Sequence, residues 1–201
     1  DATSAAGAIS WSPSEVDCYY FAPQKALASD GGLWLAACSP AALERIEQLS
    51  SGDRWTPAGL DLGIALSNSR QDQTYNTPSL ATIFLAAEMV EWINNSGGLS
   101  WAEERCLESS GIIYQWATDR SFAQPFVVDP EERSPVVCTV DFEGVDADTI
   151  STVLRANGLV DTESYRKLGR NQLRLATFPS VEPADVEALC ACIDFIVDAL
   201  S

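Results

Sequence analysis

The chain has 201 residues, 46% of them hydrophobic and 20% charged, a composition expected of a soluble globular protein and not of a disordered one. Its 12 Lys and Arg stand against 29 Asp and Glu, and the net charge of −17 argues against nucleic acid or an anionic membrane as partner. Histidine is absent, which removes histidine-based triads and His-containing zinc sites.

In chain order, Asp17–Ala22 and Leu33–Cys38 read as strands, rich in aromatic and apolar residues and bounded by Pro, Gly and Asp. Pro40 opens a helix capped by Ser39, with Ala42, Leu43, Ile46 and Leu49 at helical spacing. The stretch 52–75 reads as loop. A long helix is predicted from Pro78 to about Asn95, ended by Gly97-Gly98, and another from about Ser100 to Thr118. Thr82, Glu88 and Glu91 interrupt the longest apolar run, so no membrane span is expected. After a loop marked by Pro125, Pro130 and Pro135 come strand Val136–Phe142, helix Asp146–Ala156, strand Gln172–Phe178 and helix Pro183–Leu200. Asn157-Gly158 closes the first of these two helices. The alternation indicates an α/β protein whose second half is a small α/β unit.

Six cysteines (Cys18, Cys38, Cys106, Cys138, Cys190, Cys192) are read as buried free thiols of a reducing compartment, because three lie in strand-like runs and Cys190-x-Cys192 is too tight for the usual metal or redox pair. The acidic run from Asp141 to Asp148 resembles a calcium loop, but its glycine is misplaced and Thr152 stands where a bidentate Glu belongs. It reads instead as a strand end and helix cap, and no metal site is expected. The first residue is Asp1 and the only methionine is Met89, so the start is expected to be a cut through a longer protein.

Two places carry chemistry. Lys25, one of only two lysines, follows the strand in Tyr19-Tyr20-Phe21-Ala22-Pro23-Gln24-Lys25. A lysine desolvated there would attack carbonyls, as Schiff-base catalysis requires; a lysine with its stem packed and its ammonium in water fits the same residues. The second place is Arg166, Lys167, Arg170 and Arg174, four of the chain's twelve cations, which reads either as an anion site or as a solvated basic loop. Thr77-Pro78 has the form of a helix cap and first turn, and a helix start is a fitting place for an anion.

The run YYFAPQK followed by ASDGGLWLA resembles the cofactor-lysine segment of phosphoserine aminotransferases, particularly the actinobacterial form. DATS at 1–4, YNTPSLATIF at 75–84 and TESYRKLGRNQLRLATFPSVEPADVEAL near the end resemble the same family in the same order. The resemblance implies a fold-type I pyridoxal-phosphate enzyme, with 1–97 the C-terminal part of the large cofactor domain and 98–201 the small α/β domain. It implies pyridoxal 5'-phosphate bound covalently by Lys25, Asp1 on the pyridine nitrogen, Gln24 against the cofactor, and Asn76 and Thr77 on the phosphate of a neighbouring subunit's cofactor, hence a homodimer. Arg174 would clamp the substrate α-carboxylate and Arg166 help hold its phosphate, although Tyr165-Arg166 stands where many bacterial relatives carry His-Arg. The implied reaction exchanges an amino group between phosphoserine and 2-oxoglutarate, giving 3-phosphohydroxypyruvate and glutamate, in cytoplasmic serine biosynthesis. Phosphohydroxythreonine, of pyridoxine biosynthesis, is the second candidate substrate. The alternative is a truncated, non-catalytic piece that folds or dimerises only.

Overall fold

The computed structural model describes residues 1–165 and 167–200, which form two compact units. The first comprises Asp1–Ala6 and Ser10–Trp92, the second Gly7–Ile9 and Ile93 onward. Among the described residues no helix is long and apolar enough to cross a membrane.

In the first unit, strands β1 (Cys18–Phe21) and β2 (Leu35–Cys38) pair antiparallel. Helix α1 (Pro40–Ser50) follows, and the Ser39 hydroxyl accepts from the Ala42 N–H as expected of a cap. Helix α2 (Leu62–Ser69) comes next, within the stretch expected to be loop. Gly63, Ser67, Asn68 and Ser69 are weak helix formers, but the Asp61 carboxylate accepts from the N–H groups of Gly63 and Ile64 and so satisfies its first turn. Gly63 has a packing reason: a Cβ there would lie 2.1 Å from the Ser50 hydroxyl oxygen, so only glycine lets α2 close on the end of α1. Neither helix has a buried residue.

Helix α3 (Leu80–Ser96) starts later than Thr77-Pro78 suggested. Ser79 takes the capping position: its carbonyl accepts from Ile83 N–H and its hydroxyl from Thr82 N–H. Its apolar residues stay largely in the open, with Leu80 80% and Phe84 60% exposed. Thr82 is buried, and its carbonyl accepts a 2.7 Å bond from the Ser29 hydroxyl, which fastens the start of α3 to the turn after Lys25.

The second unit begins within α3 and continues with α4 (Gly98–Thr118). A three-stranded antiparallel sheet, in the order β3 (Ala123–Pro125), β4 (Val137–Phe142), β5 (Gln172–Ala176), is joined to helices α5 (Ala147–Ala156) and α6 (Pro183–Leu200). The three-residue β3 falls in a stretch read as the approach to a loop; its length and Pro125 hide it in the sequence. Alternate residues of β4 and β5 face a core that includes Val140, Leu173, Ile113, Ile150, Leu154 and Ile193. Asp146 caps α5, accepting from the Thr149 N–H and hydroxyl, and Gly158, with φ of 88°, ends it. Full burial of each Leu or Ile in such a core is worth about 1.5–3 kcal/mol, so this unit carries its own stabilisation.

The cysteines divide along the same line. All six are free, and Cys106, Cys138 and Cys190 are buried as expected. Cys18 is exposed and Cys38 and Cys192 half-buried, contrary to the expectation of burial. Cys18 stays exposed because it lines an open surface cleft beside residues of α1 and α2.

Candidate active site

Strand β1 delivers Lys25. After Phe21 the chain turns, with Lys25 C=O accepting from Ala28 N–H at 2.8 Å and Pro23 C=O from Ser29 N–H at 3.1 Å. Pro23, Ala26 and Leu27 are buried beneath the turn, which leaves Gln24 and Lys25 facing outward. Ala28 holds a φ of 45°, a left-handed conformation costly for a residue with a Cβ and one that turns bearing functional groups often tolerate.

The first residues run along the free side of β1. Ala2 N–H donates to Tyr20 C=O at 2.8 Å, and Ala22 N–H donates to the Thr3 hydroxyl at 3.3 Å. This places Ser4 beside the lysine: Lys25 Nζ donates to the Ser4 hydroxyl at 2.9 Å. The Asp1 carboxylate accepts from Thr3 N–H at 2.9 Å and is exposed. The structure therefore gathers Asp1, Ser4, Gln24 and Lys25 at the end of one strand, although some twenty residues of chain separate the two segments. Ser4 was inside a motif noted in the sequence, yet nothing local signalled that it faces Lys25. Of the two readings open for Lys25, the described residues leave the side chain exposed, as expected of a lysine with its ammonium in water.

Asn76 and Thr77 are exposed in the segment before α3, where the Thr74 hydroxyl donates to Asn76 C=O at 2.5 Å. Among the described residues no hydrogen bond joins either of them to Asp1, Gln24 or Lys25. A surface cleft of about 330 Å³ in this unit is lined by Asp17, Cys18, Arg45 and Leu62 among others, and Lys25 is not part of its wall.

In the second unit Arg170 and Arg174 of the basic segment take different roles. Arg166 lies outside the described residues. Arg170 is engaged internally: its Nε and Nη2 donate to the two oxygens of the nearly buried Asp141, which also accepts from Gln172 Nε2 at 2.8 Å, and its guanidinium lies 4.7 Å from the Phe126 ring centre. Removing Arg170 would leave the nearly buried Asp141 carboxylate without its ion pair, so this pair is architecture. Arg174 differs. It sits on β5 opposite Thr139, its backbone N–H donates to Thr162 C=O at 3.1 Å, and its guanidinium lies 5.3 Å from the Tyr165 ring centre. Among the described residues no carboxylate pairs with it. The nearby Glu163 is held at 2.6 Å by Arg155, whose hydrogen bond chiefly keeps that carboxyl below its ordinary range. A cation stacked on an aromatic face keeps its donor edge open for a planar anion. Tyr165 was noted in the sequence only as a departure from relatives; its contact with Arg174 had no sequence signal.

The family model described as Aminotransferase class-V matches residues 1–162. The chain belongs to the class-V aminotransferase family. The phosphoserine aminotransferase of Nocardioides sp. is 57% identical over 201 residues, 100% of this chain and 54% of that protein. That of Rhodococcus jostii is 53% identical over the same shares. Among solved structures, the phosphoserine aminotransferase from Cytophaga hutchinsonii matches with a TM-score of 0.87 and 18% identity, over 96% of this chain and 53% of that one. At that identity the structural likeness establishes the α/β fold of class-V aminotransferases alone. The chain spans about half the length of the curated relatives it matches.

Proposed function

We propose that this chain supplies the lysine-bearing part of the large domain (1–97) and the small C-terminal domain (98–201) of a phosphoserine aminotransferase. Its reaction moves an amino group between phosphoserine and 2-oxoglutarate, with 3-phosphohydroxypyruvate and glutamate as products, in cytoplasmic serine biosynthesis. The observation that carries this reading is the exposed Lys25 amine at the end of β1, 2.9 Å from Ser4 and on the same strand end as the Asp1 segment. Relatives that bear the activity's name share more than half of the chain's residues.

The residues suit pyridoxal phosphate: Lys25 offers a primary amine on a tight turn, held by the Ser4 hydroxyl at 2.9 Å. When bound, that cofactor supplies an aldehyde to carry the amino group and a ring that accepts the electron pair released at the substrate's α-carbon. Lys25 attaches it and accepts or returns the α-proton at Nζ, with Ser4 orienting the amine. Asp1 would hold the ring nitrogen, where a carboxylate favours the protonated, electron-accepting ring. Gln24 would lie against the cofactor, and Arg174 would clamp the α-carboxylate common to both amino acids. Arg166 contributes to the phosphate subsite. Asn76 and Thr77 reach the cofactor phosphate of a second subunit in a homodimer. Phosphohydroxythreonine, the substrate that would add a role in pyridoxine biosynthesis, is tested by direct competition with phosphoserine.

A second reading applies to the 201 residues on their own, as a folded or dimerising piece without activity; the absence of buried residues from α1 and α2 favours it. Borohydride reduction of the pyridoxal-phosphate-loaded, full-length protein, followed by peptide mapping, tests the assignment. The reading requires the label on Lys25; a label on Lys167 ends it.

A further inference from the structure

Strands β1 and β2 set Cys18 directly opposite Cys38. In the neighbouring pair, Ser39 N–H donates to Asp17 C=O at 2.8 Å, so Asp17 and Ser39 occupy a hydrogen-bonded position of the antiparallel ladder. Cys18 and Cys38 therefore fall at a non-hydrogen-bonded position, where opposed Cα atoms approach to about 4.5 Å and side chains converge. That spacing lies inside the range a disulfide spans, and the two sulfurs are already 3.7 Å apart. We propose that Cys18 and Cys38 form a redox-active pair, a modification site that low-molecular-weight disulfides close reversibly into a protein disulfide. The proposal stands independently of the aminotransferase reading.

Exposure sets Cys18 apart among the described thiols, whereas Cys192 is half-buried like Cys38. Burial pushes Cys106 and Cys190 up to about 12 and Cys138 up to about 11, which leaves them protonated and shielded at neutral pH. Cys18 is exposed and lines the open cleft whose wall also carries Arg45. A small disulfide bearing carboxylates, such as glutathione disulfide, meets both a free sulfur and a cation there. Cys38 is half-buried, and its burial, followed by its contact with Cys18, raises its thiol above the ordinary value. Cys18 is thus the first nucleophile and Cys38 the resolving thiol.

The exchange balances without any other reagent. Cys18 loses its proton, attacks one sulfur of the external disulfide and displaces one thiolate, which takes up that proton. Cys38 then loses its proton and attacks the Cys18 sulfur of the mixed disulfide, and the second external thiol leaves. Two protein thiols are oxidised by two electrons, and one external disulfide is reduced to two thiols. The bond closes the ribbon at its open end, and the loop it encloses contains Gln24 and Lys25.

The test is incubation of the full-length protein with glutathione disulfide, quenching by alkylation, and mass mapping of a digest kept unreduced. The expected product is a peptide pair linked through Cys18 and Cys38, formed on the order of tenfold faster than any link to a buried thiol and lost on treatment with dithiothreitol. Cys38→Ser should stop the reaction at glutathione on Cys18. The proposal is overturned if Cys18 and Cys38 remain as alkylatable as before, if each carries glutathione without a link, or if Cys18 joins a different cysteine.

Discussion

The two units stabilise themselves differently. Among the described residues the second encloses a core of seventeen buried residues, all contributed by α4, α5, α6 and the three strands. The first has two helices with no buried residue, a two-stranded ribbon, and Trp55 and Leu80 exposed at 83% and 80%. Apolar surface on that scale marks a face made to be covered. The two candidate site residues fall on opposite sides of this contrast: Lys25 belongs to the unit with little core, and Arg174 to the one with much.

The broadest way to break this contrast is to divide the chain. Residues 93–201 should unfold cooperatively in urea with a dispersed amide NMR spectrum, whereas residues 1–92 should show neither property. Cooperative unfolding of 1–92 alone would mean that its exposed surface needs no cover. Single substitutions sharpen the same point. Ile193, fully buried in α6, should cost about 2–5 kcal/mol on change to Ala, a large part of the 5–15 kcal/mol typical of a domain. Ile46 in α1, only partly covered, should cost about 1 kcal/mol or less when changed to Ala, as read by urea unfolding.

On the functional side of the comparison, Arg174→Ala in the full-length protein should reduce kcat/KM for both glutamate and phosphoserine by roughly tenfold to hundredfold, the loss of one bidentate charge-assisted contact at about 1.5–3 kcal/mol. A loss confined to phosphoserine would move Arg174 to the phosphate. The smallest effect concerns Asp194, which accepts from Arg120 Nε and Nη2 and from Trp116 Nε1. The Arg120 hydrogen bonds hold its carboxyl below the ordinary 3.8, so the stabilisation is complete above that pH and fades as pH falls through the lower folded value. Asp194→Asn should therefore cost up to about 1 kcal/mol at pH 7 for this partly exposed pair, with the difference closing in the acid range. A difference that persists unchanged to pH 2 would assign it to Trp116 instead.

Local chemistry was readable in the sequence wherever it was sufficient. Ser39 before Pro40, Asp146 before α5 and Asn157-Gly158 after it each satisfy or end a helix with neighbouring residues, and the apolar alternation of β4 and β5 needed no distant information. What was misread depends on partners far along the chain. Gly63 looks like a loop residue until Ser50 is seen against it. Ser79, not Thr77, begins α3 because its hydroxyl and carbonyl both reach the next turn. For Lys25 the sequence left a desolvated and a solvated amine both open, because exposure is decided by what lies over a turn. The contacts Ser4 to Lys25 and Tyr165 to Arg174 are matters of placement, and resemblance supplied the lysine and the arginine without their companions.

The ribbon has one more consequence. Its β1 side is occupied by the segment around Ala2, but among the described residues no strand pairs with the outer side of Leu35–Cys38. Unsatisfied strand amides and carbonyls recruit whatever extended chain passes first, whether it is the proper neighbour, another copy or a protease's substrate cleft. Whatever extended segment pairs along Leu35–Cys38 would therefore cover an aggregation-prone edge as well as extend the sheet.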